Sequence, residues 1–335
     1  LGYVAVAITG GYFAIQGKIS VGDIQSFISY NKQFTQPIAQ IAQISGQIQT
    51  MIAAAERVFE FLEEDEEVQT ATKEIDTNKL AGNVEFDNVK FGYNDDKIII
   101  NDFSAKIKEG QKIAIVGPTG AGKTTIVKLL MRFYDVNSGA ILVDGHNIKD
   151  FERGNLRKMF GMVLQDTWLF AGTVKDNIKY GKEDATIDEV KRAARIAQAT
   201  DFIEEKEEQY ESPIAQGGSN VSGGQKQRLS IARAIAKDPE IYIFDDSFSA
   251  LDYKTDVKLR SELQKETNGS TTLIVAQRIS TILHADQIIV LDEGNIVGKG
   301  THEELLNTCP VYQQIAKSQL SEDDLKKARE VSDHE

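Results

Sequence analysis

At 335 residues with a net charge of −13, the chain has room for one large or two ordinary domains. The acidic balance excludes a protein built to hold nucleic acid, which needs a clustered basic surface. The single cysteine, Cys309, excludes an intrachain disulfide, fits a reducing compartment, and has no nucleophile signature around it, so it is read as structural.

Residues 1–15 are apolar, with three glycines and no charge. The stretch is shorter than the roughly 20 residues a spanning helix needs. It has neither a basic leader nor a cleavage site, which argues against a signal peptide. Because the chain starts at Leu1, the expectation is a C-terminal fragment cut inside a membrane helix. Residues 17–23 make a tight polar turn, and a long helix follows over 24–62. Phe34, Ile38, Ile41, Ile48, Ile52 and Phe59 share one face at three- and four-residue steps. Gln33, Gln36, Gln40, Gln43 and Gln47 share the neighbouring face. That stripe is either a solvated face or the lining of a water-filled cavity between membrane helices. At about 1.5 Å per residue the helix would be roughly twice as long as a hydrocarbon core, and so would run on into the cytosol. Pro37 is placed to kink it. Residues 1–62 are therefore read as the remnant of a transmembrane domain and 63–81 as a linker that opens on an acidic run. A soluble domain follows over 82–318, then a charged tail over 319–335.

In the soluble domain, 84–89 and 103–107 alternate as strands do. Residues 112–116 form a short β-branched apolar run that reads as a buried strand. Gly117-Pro118-Thr119-Gly120-Ala121-Gly122-Lys123-Thr124 follows at once, then Thr125 and an apolar run at helical spacing over 125–131. An ordinary glycine turn needs neither the strand before nor the helix after. The two together match G-x-x-x-x-G-K-[ST], whose backbone N–H groups and helix N-terminus converge on a polyphosphate. Lys123 would reach the outer phosphates of a nucleoside triphosphate, and Thr124 would ligate Mg²⁺. Residues 241–245 are apolar up to Asp245, whose carboxylate would hold the same ion. Ser222, Gly223, Gly224 and Gln225 open a helix over 226–237 and offer a second set of donors at a helix N-terminus. Strands and helices interleave from residue 112, which predicts an α/β P-loop NTPase with a mainly parallel sheet.

The stretch from Ser222 to Arg228 resembles the signature motif of ABC transporter nucleotide-binding domains, and the motif order matches that family over 82–318. Under this resemblance, Tyr93 corresponds to the aromatic residue that stacks on adenine. Gln165 corresponds to the glutamine that touches Mg²⁺ and faces the membrane domain. Ser249-Ala250-Leu251-Asp252 corresponds to the D-loop. The resemblance implies a head-to-tail dimer in which the signature of each chain closes on the ATP held by the other. Residues 1–62 look like the end of the fifth and the whole sixth transmembrane helix of an exporter. This implies a multi-pass protein of the plasma membrane with its nucleotide-binding domain in the cytoplasm. The substrate would be an amphipathic drug, lipid or peptide.

Two positions depart from the family pattern. Asp246 stands where a water-polarising Glu is expected, and Gln277 stands where the switch His is expected. A carboxylate one methylene shorter falls about 1 Å short of the same water, which can cost on the order of a hundredfold in rate. Gln donates a hydrogen bond but, unlike His, carries no proton or charge. The pair implies the degenerate-site subunit of a heterodimer. A homodimeric exporter running on Asp246, a soluble ABC ATPase of translation or DNA repair, and a P-loop kinase are the other readings.

Overall fold

The computed structural model describes residues 2–67, 71, 73–94, 96–267 and 269–319. The tail expected over 319–335 lies, beyond Gln319, outside the described residues. Two compact units divide at residues 68 and 69.

The first unit is a pair of helices, α1 (Gly2–Ile15) and α2 (Val21–Leu62). The turn between them ends at Ser20, whose hydroxyl accepts the Asp23 N–H at 3.2 Å. The Asp23 carboxylate takes the Ser20 N–H in return at 2.9 Å. This reciprocal cap starts α2 at Val21, earlier than the residue 24 expected from the apolar pattern alone. The helix runs through Pro37 as one element of 42 residues. Among the described residues, no helix is long and apolar enough to cross a membrane. The glutamines keep every window of α2 too polar, and α1 has only 14 residues. The membrane reading of 1–62 therefore does not rest on hydropathy. Neither helix buries a residue within the unit, so the glutamine stripe and the apolar stripe are exposed alike.

In the second unit, the segment expected to be a linker is partly built into the domain. Lys73 Nζ pairs with Asp150 at 2.6 Å, and Ile75 and Leu80 pack against the core. The strands are β1 (Val84–Phe91), β2 (Ile100–Ile107), β3 (Lys112–Val116), β4 (Ser138–Val143), β5 (His146–Asn147) and β6 (Phe160–Val163). There follow β7 (Gly172–Thr173), β8 (Pro213–Ile214), β9 (Ile241–Asp245), β10 (Thr271–Val275), β11 (Gln287–Asp292) and β12 (Asn295–Gly300). The helices are α3 (Lys123–Leu130), α4 (Arg153–Lys158), α5 (Val174–Lys179), α6 (Ile187–Ile196) and α7 (Thr200–Glu204). They continue with α8 (Gly223–Lys237), α9 (Tyr253–Glu266), α10 (His302–Thr308) and α11 (Pro310–Gln319).

Ten strands form one sheet in the order β5-β4-β1-β2-β12-β11-β3-β10-β9-β6, and β7 pairs with β8 apart from it. The run from β11 through β3, β10 and β9 to β6 is wholly parallel. Its strands are covered on both faces and so read as unbroken apolar runs, as in Ile241 to Phe244. The β1–β2 and β1–β4 pairs are antiparallel and one-sided. There the alternation breaks at a bulge between Phe86 and Val89, where Asn88 takes φ +48°. That break explains why the periodicity stops at 89 while β1 continues to Phe91. Phe86 and Phe103 meet edge to face at 5.0 Å beneath this sheet.

Asp144 ties the start of the domain to the end of β4. Its carboxylate accepts the backbone N–H groups of Ala81 and Gly82 at 2.8 and 2.9 Å and the Asn83 side-chain amide at 2.5 Å. Partial burial works to raise this carboxyl, but the hydrogen bonds outweigh it and hold it below the ordinary value. A depressed carboxyl contributes stability that is complete above its unfolded value, about 3.9, and is lost as pH falls through the folded value. Thermal unfolding of Asp144→Asn should therefore show a lower midpoint than wild type at pH 7. The gap should close as pH falls below about 4.

Candidate functional site

The carboxyl ends of the central strands converge on one cleft of about 340 Å³. Thr119, Gly120, Gly122, Lys123, Thr124 and Thr125 line it from the loop between β3 and α3. Asp245 and Asp246 enter from the end of β9, Val275 and Gln277 from the end of β10, and Gln165 from the segment after β6. Parallel strands with helical crossovers open such a crevice at their carboxyl edge, so segments far apart in sequence meet there.

The loop has this course because side chains are excluded from it. A Cβ on Gly117 would sit 2.0 Å from the Leu291 carbonyl oxygen of β11, the strand beside β3. Gly122 caps α3 at φ +99°, and a Cβ there would meet Ile100 Cδ1 at 2.6 Å. Ala121 is buried under the loop. The Lys123 ammonium folds back onto the Gly117 and Pro118 carbonyls at 2.8 and 2.9 Å. Burial lowers its pKa, opposed by Asp245 and Asp246. A cation held in place and poorly hydrated gains most from an anionic partner.

Asp245 is only 3% exposed, and the Thr124 hydroxyl donates to its carboxylate at 3.4 Å. Burial raises this carboxyl, against the Thr124 hydroxyl and with a further push from Asp246. A buried carboxylate with one long hydrogen bond is under-coordinated. With the Thr124 hydroxyl and the Gln165 amide in the same cleft, it forms a set of hard oxygen donors that fits Mg²⁺. Among the described residues, no group of three or more His, Cys, Asp or Glu could hold a metal by itself. The rest of the shell would come from a phosphate ligand, which is the usual Mg²⁺ arrangement.

Asp246 takes φ +47°, a left-handed conformation that Asp tolerates better than most side chains. Its N–H donates to the Val275 carbonyl at 2.8 Å. Burial raises the Asp246 carboxyl, opposed first by the Gln277 backbone N–H and then by Arg278 and Lys123. The Gln277 main chain therefore favours the charged form of the Asp246 carboxyl. The Ser249 hydroxyl donates to the Asp246 carbonyl at 3.0 Å, and Arg278 Nη2 donates to the Ser249 carbonyl at 3.1 Å. The Gln319 amide donates to the Gln277 carbonyl at 2.6 Å, and its oxygen takes the Ile279 N–H at 2.8 Å. Arg278 and Gln319 act on the site through these bonds. Sequence reasoning did not find them, and for Gln319 no local signal exists at 42 residues from Gln277.

Other sequence-selected residues lie outside the cleft. The Tyr93 hydroxyl lies 3.4 Å from Thr125 Oγ1, its ring meets Tyr134 edge to face at 5.0 Å, and the Lys128 ammonium lies over the ring at 5.8 Å. Ser222 caps α8, its hydroxyl accepting the Gln225 N–H at 3.3 Å while the Gln225 side chain takes the Ser222 N–H at 3.0 Å. This cap starts α8 at Gly223, three residues before the expected 226. Gly223 is exposed, and Gly224 is half-buried against the Ala250 carbonyl. Asp252 caps α9 by accepting the Thr255 N–H at 3.0 Å.

Residues 100–249 match the family model described as ABC transporter. The chain is 43% identical over 318 residues to the fatty acid ABC transporter ATP-binding/permease protein of Mycobacterium bovis, covering 95% of this chain and 50% of that protein. It is 42% identical over 311 residues to the putative multidrug export ATP-binding/permease protein YgaD of Bacillus subtilis, covering 92% and 54%. A solved bacterial Atm1-family ABC exporter with ATP bound superposes with a TM-score of 0.75 at 35% identity, covering 96% of this chain and 56% of that one. The chain thus spans about half the length of the proteins it matches.

Gly117→Ala forces a methyl group against β11 and should lower stability by about 2 kcal/mol or more. Thermal unfolding, with ATP titration by fluorescence, should show a reduced midpoint and loss of nucleotide binding together.

Proposed function

This chain carries the nucleotide-binding domain of an ABC transporter, and on that premise we propose that it is the ATP-binding/permease subunit of an exporter whose own site turns ATP over slowly. The observation that carries this reading is the pairing of Asp246 with Gln277 in a cleft otherwise equipped for phosphate. Lys123, Thr124 and the loop N–H groups would hold the phosphates, with Asp245, Thr124 and Gln165 holding Mg²⁺. Bound Mg²⁺ would neutralise charge on the β- and γ-phosphate oxygens. Tyr93 would stack on the adenine.

An acid that positions attacking water must project toward the γ-phosphate. Asp246 is one methylene short, and its charge is already favoured by the Gln277 N–H. Gln277 can donate to the γ-phosphate but cannot take up a proton. The outcome is tight binding with slow cleavage. Ser222, Gly223, Gly224 and Gln225 lie outside this chain's own cleft, as expected for a surface that completes the site of another chain. Ser249 and Asp252 would line the contact between the two domains. The partner is then a second exporter subunit with Glu and His at the two positions.

Residues 1–62 would belong to the membrane domain of the whole protein, with the nucleotide-binding domain in the cytoplasm and an amphipathic drug, lipid or peptide as cargo. The relatives named for fatty-acid transport and multidrug export agree in kind with such a cargo.

ATPase assays of the full-length protein alone and with its partner subunit test the proposal. Slow turnover alone and fast turnover with the partner are expected. Fast turnover of this chain as a homodimer would overturn it in favour of catalysis by Asp246. Asp246→Glu should raise hydrolysis well short of the roughly hundredfold that placement alone could return, because Gln277 remains. Full recovery in steady-state kinetics would refute the joint defect.

A further inference from the structure

A second cavity, of about 100 Å³, lies behind the strand ends that carry the nucleotide cleft. Side chains alternate along a strand, so Asp245 and Val275 face the cleft while Phe244 and Ile274 line this cavity on the other face. Its walls are Phe244, Phe248, Leu263, Ile274 and Ala285. Into them projects Thr272, which is 3% exposed and whose hydroxyl has no hydrogen-bond partner among the described residues. A buried hydroxyl left unpaired costs about 1–3 kcal/mol, so a partner inside the cavity would be favoured.

Among the described residues, the charged ones lining the cavity are cationic and none is a carboxylate. Arg260 is committed to Asp256, by two hydrogen bonds of 3.0 and 2.7 Å, and to the Ser280 carbonyl. Lys112 is half-buried and, among the described residues, its ammonium makes no hydrogen bond or ion pair. The nearby Asp286 carboxylate takes the Lys112 backbone N–H at 2.7 Å and opposes the effect of burial on its ammonium, without forming an ion pair with it. His284 and Gln264 stand exposed at the rim.

We infer that this cavity binds a compact apolar monocarboxylate, its carbon skeleton among Phe244, Phe248, Leu263 and Ile274 and its carboxylate shared between Lys112 and the Thr272 hydroxyl. At about 100 Å³ the cavity is smaller than the engineered apolar cavity of about 150 Å³ that takes up benzene, so it takes a short alkyl chain or part of a ring, with the remainder of the ligand in its mouth. The occupant would press on Phe244, next to Asp245, and on Ile274, next to Val275 of the cleft, which makes it a candidate modulator of the nucleotide cleft. The inference does not depend on which chain performs the faster hydrolysis.

Ligand-detected NMR with benzoate and with benzyl alcohol on the full chain tests it, using wild type, Lys112→Gln, Thr272→Val and Ala285→Phe. Benzoate should bind wild type at least tenfold more tightly than benzyl alcohol. Its affinity should fall at least fivefold in Lys112→Gln and in Thr272→Val, and should vanish in Ala285→Phe. ATP affinity, measured in parallel, should be retained in Lys112→Gln, which reports that the fold is intact. Equal binding of benzoate and benzyl alcohol, or unchanged benzoate binding in Lys112→Gln, would overturn the carboxylate assignment. No binding to wild type, or a Thr272→Val variant that is simply more stable with benzoate affinity unchanged, would overturn the site.

Discussion

The central strand β3 hydrogen-bonds to β11 on one side and β10 on the other, and the site inherits its shape from that crowding. A strand buried on both faces and both edges must leave the sheet through a passage with no room for side chains. The chain meets this demand with Gly117 against the Leu291 carbonyl and Gly122 against Ile100. The same crowding sets β9 and β10 beside β3, so their last residues emerge level with the loop. Asp245, Asp246 and Gln277 reach Lys123 through sheet order, although more than a hundred residues separate them from it in sequence.

The electrostatics follow from that burial. Lys123 and Asp245 are both under 10% exposed, and each is shifted toward its neutral form by desolvation while the opposite charge resists. Taking charges out of water is costly, and a polyphosphate with its cation would relieve the cost for both at once. The cleft is thus poised for a highly charged ligand. Asp246 differs from Asp245 in having its charge already supported by the Gln277 N–H and by Arg278. It has less to gain from rearrangement.

The phosphate loop, the strand ending at Asp245 and the parallel sheet were legible because each is a local pattern with its own physical cause: a glycine spacing, an apolar run, an alternation of elements. The starts of α2 and α8 were misplaced by three residues because apolar periodicity does not register a capping box, in which Ser20 or Ser222 bonds back to its own helix. The bulge at Asn88 hid the end of β1 for a similar reason, since it interrupts the period without ending the pairing. The contacts of Gln319 and Arg278 with Gln277 and Ser249 were invisible because they depend on tertiary placement alone. Residues 1–62 show the reverse case. Their helices were legible, but the glutamine stripe leaves them short of a spanning hydropathy.

The reciprocal cap at Ser222 has a consequence for how another molecule could be met there. The Ser222 hydroxyl accepts from Gln225 and so keeps its own hydrogen to give away, while the Gln225 side chain has already taken the Ser222 N–H. The helix start is rigid before any contact is made. Its Gly223 and Gly224 N–H groups, the first two of the helix, have no carbonyl one turn back to receive them. A docking anion would find donors already fixed in direction and would order almost no backbone on arrival, so little of the encounter's free energy would go into conformational entropy.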